Sequence, residues 1–344
     1  MKTYDIIGDI HGHAVELKAL LEKLGYTKDQ NGIYAPPEPD RQVVFLGDFI
    51  DRGPENFEVI DIAKAMINAG YAHAIMGNHD LNAGLFHTHE MKGGELIPLR
   101  EHSDKNKVQH ASFLNELRIN PQKGREHIDW LKSLPVVLEL DGLRFAHAMW
   151  HKPSIRQLQE SSVLTPSNTI HPDKWPELGD EAHPSCKAID LIAKGLELDL
   201  PPGTCFTDSD GHQRTTGRVK WWHNADDPNL TMDKAVLHVV PGTMDHIPLS
   251  DELREQMRDL QDTEGRTMFF GHYWQRGATP TIECKNAICI DQSVAKDGHL
   301  AAATVVTDNG VIQDMQFTSV KSRSPVEIRE AREKVAQAAR VGGR

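Results

Sequence analysis

Six residues of this 344-residue chain have types suited to holding metal ions, and each follows a short apolar run: Asp9, His11, Asp48, Asn78, His147 and His272. Together they form a mixed oxygen and nitrogen donor set. Such a set suits a borderline first-row ion, Mn, Fe or Zn, better than Ca or Mg, and the want of Cys argues against a structural zinc site. Asp48 has two oxygens, one for each of two ions. Two cations about 3.5–4 Å apart would polarise a phosphoryl group, generate hydroxide at neutral pH and clamp an in-line displacement. Two carboxylates and three neutral imidazoles leave such a pair net positive, so an anionic substrate is favoured. A lone histidine at a strand end is ordinarily structural; the set of six points to function. Around Asp48, the stretch Gly47-Asp48-Phe49-Ile50-Asp51-Arg52-Gly53-Pro54 places a second carboxylate and a guanidinium on the same turn, a geometry for holding a cation beside an oxyanion.

The elements that must position these residues are legible as strand-to-helix units. Residues 3–7 read as a strand that runs into Gly8-Asp9-Ile10-His11-Gly12, followed by Leu17, Leu20, Leu21 and Leu24 at helical spacing. Strand 42–46 leads into the Asp48 stretch and a helix to about Asn68, and strand 71–76 ends in Gly77-Asn78-His79-Asp80. This succession predicts a parallel sheet whose turns lie side by side at the strands' carboxyl ends, where α/β folds bind ligands. Residues 81–132 read as a polar helical insertion carrying His87, His89, His102, His110 and His127 on solvated faces. Asp141-Gly142 between apolar runs 136–140 and 143–147 predicts a hairpin ending on His147. Residues 151–232, rich in Pro, Trp and His, read as a loop-rich insertion, with Trp221 and Trp222 packing it to the core. Strand 235–240, helix 251–261 and strand 267–270 then lead to His272. Strands 286–291, 301–307 and 311–317 suggest a second, antiparallel sheet, and 325–340 a charged terminal helix.

The totals narrow the classes of function. The chain is long enough for one large domain, 1–344, with the two insertions. Its formal net charge of −12 disfavours a protein that tracks a long nucleic acid. The four cysteines contain no CxxC pair, and the N-terminus shows no signal segment. No apolar run approaches a bilayer span. The expectation is a cytoplasmic protein without a membrane partner.

Three blocks, Gly8-Asp9-Ile10-His11-Gly12, Gly47-Asp48-Phe49-Ile50-Asp51-Arg52-Gly53 and Gly77-Asn78-His79-Asp80, resemble the signature motifs of the calcineurin-like metallophosphoesterases. The branch most resembled contains the phosphoprotein phosphatases and the symmetrical diadenosine tetraphosphatases. The resemblance covers most of residues 1–150 and about 265–308. It implies a four-layer α/β sandwich, two mixed sheets packed face to face and flanked by helices. It further implies that Asp9, His11 and Asp48 hold one ion, and Asp48, Asn78, His147 and His272 the other. His79, oriented by Asp51, would protonate the leaving oxygen, and Arg52 would grip the substrate phosphate. A second phosphate-binding arginine would fall in the 151–232 insertion, where Arg218 and Arg214 are candidates.

The chain departs from the pattern at Asp80, where many members have Glu, at Ala148-Met149, and at Trp274, where larger branches have a second histidine. The expected activity is dinuclear-metal-dependent hydrolysis of phosphate monoesters, on phosphoproteins or small molecules, with Mn, or else Fe or Zn. Against it stands symmetrical dinucleoside-polyphosphate hydrolysis, favoured by Gly271-His272-Tyr273-Trp274 and Ile288-Cys289-Ile290-Asp291. A non-catalytic binding scaffold of the same fold would be expected to lack several ligands or His79, and this chain has them all.

Overall fold

Alternation along the strands builds the two main sheets. In strand Lys2–Ile7, Tyr4 and Ile6 face one way and Ile7 the other; in Met268–Phe270, Phe269 faces one way and Met268 and Phe270 the other. Tyr4, Ile6, Val44, Phe145, Phe269 and Ile288 meet in an apolar layer between the sheets. Full burial of each such aliphatic or aromatic side chain contributes roughly 1.5–3 kcal/mol. The opposite strand faces join helices in a larger cluster, with Leu17, Leu20, Phe57 and Ile60 alongside Ile7 and Phe45, and Leu158, Ile189 and Ile192 alongside Phe270. This computed structural model describes residues 1–200, 203–207, 213–237, 239, 244, 246–261 and 264–342.

The first sheet has the order Val311–Lys321, His299–Asp308, Lys2–Ile7, Arg41–Phe45, Ala72–Ala74. Its last three strands are parallel and the first two pair antiparallel. The second has the order Ala287–Cys289, Met268–Phe270, Leu143–Ala146, Val137–Leu140, mixed in the same way. Both are thus mixed, and together with the flanking helices they form the four-layer sandwich.

The expected second, antiparallel sheet divides differently. The hairpin 299–321 extends the first sheet beside Lys2–Ile7, whereas Ala287–Cys289 pairs parallel with Met268–Phe270. Apolar alternation fixes which face of a strand is buried, not which edge it joins.

The Asp141-Gly142 hairpin is present, with both turn residues at positive φ, 45° and 79°. The 81–132 segment is mostly helical, but His87 ends the helix Asn78–His87, and His89 opens a short hairpin, His89–Lys92 with Glu95–Pro98. The 151–232 stretch holds more helix than its composition suggests. Lys152–Glu160 and Pro184–Lys194 are helices with Pro in the first turn, and His151 and His183 accept the first-turn Ser154 and Ser185 N–H groups with Nδ1. Proline there has no intrahelical bond to lose. Trp221 and Trp222 are buried, 5.4 and 5.1 Å from the Phe270 ring. Of the expected strand 235–240 the described residues form no strand: Met232–Ala235 is a helical turn and Val236 makes an isolated bridge to Val219, while residues 238 and 240 lie outside the described residues.

Candidate metal centre and substrate cleft

Parallel pairing of the first three strands brings their carboxyl-end turns together, and backbone bonds lock the turns to one another. Ile10 and His11 N–H donate to the Asp48 carbonyl, and Gly53 N–H donates to the His11 carbonyl at 2.7 Å. Asp80 ties the next turn in, its carboxylate accepting from the N–H groups of Gly77, Asp48 and Phe49 at 2.9, 2.8 and 3.1 Å. Burial pushes the Asp80 carboxyl up to about 7, with Asp48 adding to the effect. At Gly77 and Gly271 the backbone passes so close to a carboxylate that a Cβ would strike Asp48 and Asp9 respectively. His11, Asp48, Asp51, Arg52 and His272 all hold left-handed backbone, φ between 49° and 70°. Such strain in non-glycine residues gathers where a site over-determines the chain.

All six residues expected to ligate metal meet in this space. Asp48 is shared: its Oδ2 lies 3.5 Å from His11 Nε2, and its Oδ1 lies 3.4 Å from His147 Nε2. Each histidine has its tautomer set from behind, His11 Nδ1 against the Ile50 carbonyl at 3.0 Å and His147 Nδ1 against the Leu46 carbonyl at 2.7 Å. Donation from Nδ1 turns each Nε2 toward Asp48, where it can give up its proton and ligate a metal. The Asn78 Oδ1 sits 3.1 Å from His147 Nε2 and 2.7 Å from His272 Nδ1. Two compact groups with the reach to hold an ion share Asp48, one being Asp9, Asp48 and His147 and the other His11, Asp48 and His79.

The charge in this space calls for cations. Burial and the adjacent Asp291 push Asp9 well above the usual carboxylate range, and burial likewise raises Asp291. Burial works against the His147 imidazolium, yet Asp48 and Asp9 outweigh it and push it up to about 10. Asp48 is held down, burial being overcome by His147, His79 and His11. Buried carboxylates here are balanced by protons in positions that cations would take. The His272 Nε2 is buried with no hydrogen-bond partner. Oxygen and imidazole donors without thiolate match a first-row ion, so the residues present fit bound metal.

Beside this centre His79 Nδ1 lies 2.6 Å from Asp51 Oδ2. The other carboxylate oxygen, Oδ1, accepts from His110 Nδ1 at 2.7 Å, and His110 Nε2 is 3.1 Å from His87 Nε2. Burial pushes the His87 imidazole down to about 3, so it is neutral. The Arg52 Nε is buried without a partner. The metal centre and Arg52 open into a cleft of about 450 Å³ that Arg214, Arg218 and Trp274 also line. Arg218 is committed to Glu197 at 3.1 Å and lies over the Tyr273 ring.

A profile of the calcineurin-like phosphoesterases matches residues 3–175, half of the chain, including the first three motif turns. The chain belongs to that family. Within it, the asymmetrical bis(5'-nucleosyl)-tetraphosphatase PrpE of Geobacillus thermodenitrificans is 53% identical over 76 residues, 22% of this chain and 30% of that protein. The enzyme of the same name from Oceanobacillus iheyensis is 47% identical over 75 residues, 22% and 29% of the two chains. The chain therefore spans less than a third of the length of these curated relatives. A protein serine/threonine phosphatase from Saccharomyces cerevisiae shares the fold, with a TM-score of 0.51 at 14% identity, over 94% of this chain and 81% of that one.

Two site residues escaped the sequence reading. Asp291 ends an apolar strand, the same signal that marked Asp48, and its stretch was noted without a role. His110 carried no signal at all, because its partner Asp51 is 59 positions away.

Proposed function

We propose that the chain is a dinuclear-metal-dependent phosphoesterase that hydrolyses phosphate monoesters, on small molecules or phosphoproteins. The observation that carries the reading is Asp48, whose two oxygens face two different imidazoles at 3.5 and 3.4 Å, the disposition of a bridging ligand. Asp9, His11 and Asp48 would hold one ion, and Asp48, Asn78, His147 and His272 the other, with Mn expected and Fe or Zn as alternatives. When bound, the ions supply Lewis-acid polarisation and hydroxide at neutral pH. Arg52 lines the cleft beside the centre and would give its guanidinium to the phosphate, with Arg218, bonded to Glu197, as a second and weaker contact. Asp51 holds His79 through Nδ1, which leaves Nε2 to give a proton to the departing oxygen.

A second reading, symmetrical hydrolysis of dinucleoside polyphosphates, is supported as to substrate by the tetraphosphatase relatives, which are named as asymmetrical enzymes. The proposal includes a single domain over 1–344, with 81–132 and 151–232 as insertions that shape the cleft. It also includes a cytoplasmic setting, consistent with four free cysteines. No helix among the described residues is long and apolar enough to cross a membrane. The deciding experiment is hydrolysis in the presence of manganese of aryl phosphate, phosphopeptides, dinucleoside polyphosphates and cyclic nucleotides. Turnover of aryl phosphate and phosphopeptide is expected; hydrolysis of none of these esters by metal-loaded protein overturns the proposal.

A further inference from the structure

We propose that Arg100 and Lys105 form a second anion subsite, which takes a phosphoryl group joined by an anhydride link to the one at the metal centre. The inference rests on the phosphoesterase reading and, within it, favours the second substrate class named above, one with linked phosphoryl groups, over a lone phosphate monoester. Both side chains line the same cleft as Asp48, Arg52 and His79.

Arg100 is held by neutral groups. Its Nη1 donates to Asn82 Oδ1 at 3.0 Å, and its Nη2 donates to Asn106 Oδ1 at 2.9 Å and more weakly to Gln109 Oε1 at 3.5 Å. These amides fix the guanidinium plane without cancelling its charge. Among the described residues no carboxylate lies within ion-pair distance of it. The side chain is only partly open to solvent, and burial pushes it below the usual arginine range, with Asp190, Asp51 and Glu181 opposing from farther away. A partly desolvated cation without a close anion is costly for the free protein, and an incoming anion removes that cost.

Two other cations of the cleft are already neutralised, Lys194 by Asp190 at 2.6 Å and Arg218 by Glu197 at 3.1 Å, and Arg214 and Lys296 have interactions of their own, Lys296 lying over the Trp274 ring. Lys105 is exposed and has no anionic partner among the described residues. Uncompensated positive charge is thereby concentrated at Arg52, Arg100 and Lys105.

Spacing then selects the ligand. Asn82, which holds Arg100, lies one turn along the helix from Asn78 at the metal centre, ~6 Å on at 1.5 Å per residue. A single phosphate at the centre leaves that offset empty. A chain of anhydride-linked phosphoryl groups extends along it, and a planar guanidinium can bind two oxygens of one such group.

The test uses the full manganese-loaded protein and two non-hydrolysable probes, methylenediphosphonate and methylphosphonate, with dissociation constants measured by calorimetry. The diphosphonate should bind more tightly to the unaltered protein, and this preference should fall by about tenfold in a double Arg100→Gln, Lys105→Gln variant, since charge-assisted bonds to the second group are lost. Lys105→Gln alone, a change on an exposed side chain, should move the preference the same way and covers a double variant that fails to fold. A preference that stays within a factor of about two in either folded variant overturns the subsite. Preference retained for the diphosphonate but altered for a doubly phosphorylated peptide overturns it also, assigning the cations to a protein substrate. Failure of the unaltered protein to hydrolyse aryl phosphate strikes the phosphoesterase reading instead, and the binding ratio does not depend on that result.

Discussion

The carboxylate of Asp51 is held from both sides, Oδ2 by His79 Nδ1 at 2.6 Å and Oδ1 by His110 Nδ1 at 2.7 Å. His110 is buried and comes from the junction of two helices, Asp104–Gln109 and Ala111–Ile119, remote in sequence from the three motif turns. It does not line the cleft, so it acts on the reaction through Asp51 as a positioning residue.

Loss of His110 should therefore resemble a weakened His79. General acid catalysis contributes ~10²–10⁴-fold, so His79→Asn should lose turnover on that scale with a poor leaving group and far less with an activated aryl ester. His110→Ala should show the same leaving-group dependence at smaller amplitude, and His110→Asn, which keeps a donor, should recover part of it. An equal loss on both ester classes would mean that His110 only supports packing.

Asp48→Asn should abolish activity and lower bound metal from two ions per chain to one or none, because a neutral amide oxygen and an N–H donor cannot stand between two cations. Metal content by elemental analysis checks this independently of turnover. Full occupancy in the variant would remove the bridging role.

Trp274 occupies the position where larger branches of the family have a second histidine. It is half-buried at the cleft wall with Lys296 4.6 Å over its ring. In the proposed ligand set one ion would have three protein ligands, Asp9, His11 and Asp48, and should be lost to a chelator before the other, since affinity follows ligand number and geometry. Two dissociation phases are expected, and Trp274→His should slow the faster one. A single slow phase would contradict this asymmetry.

A pH effect follows from Glu16, buried in the first helix and bonded by Arg323 at 3.0 and 3.1 Å. Burial opposes its ionisation, but His13 and Arg323 prevail and hold it below the usual carboxylate range. A depressed folded-state pKa contributes stability that is present above the unfolded value of about 4.3 and is lost as pH falls toward the folded value. Glu16→Gln should destabilise the protein at neutral pH by roughly 3 kcal/mol, as expected on breaking a buried pair. The difference from the unaltered protein should shrink steadily below pH ~4. Urea midpoints at several pH values measure it; a constant difference would exclude Glu16 as the titrating group.

How far the sequence disclosed this architecture depended on the reach of each signal. The turns bearing Asp9, Asp48 and Asn78 were readable because each follows a run such as Val43-Val44-Phe45-Leu46 and precedes a helical repeat, all within one local window. The partner of hairpin 299–321 was not, since periodicity is blind to neighbours in space. Pro153 and Pro184, read as loop signals, instead stand in the first turns of helices. Arg100 carries no mark in the sequence, and only its enclosure by Asn82 and Asn106 distinguishes it.

The left-handed conformations of His11, Asp48, Asp51, Arg52 and His272 bear on how the family can vary. Each strained residue costs of order 1–3 kcal/mol, and glycine at the same position recovers part of it, about 1 kcal/mol after its own entropic penalty. Arg52→Gly should consequently melt at a higher temperature than the natural chain while losing its hold on the substrate. Selection for heat resistance alone would drift away from the working sequence at these five positions, so their retention in a lineage is a record of selection for turnover rather than for folding.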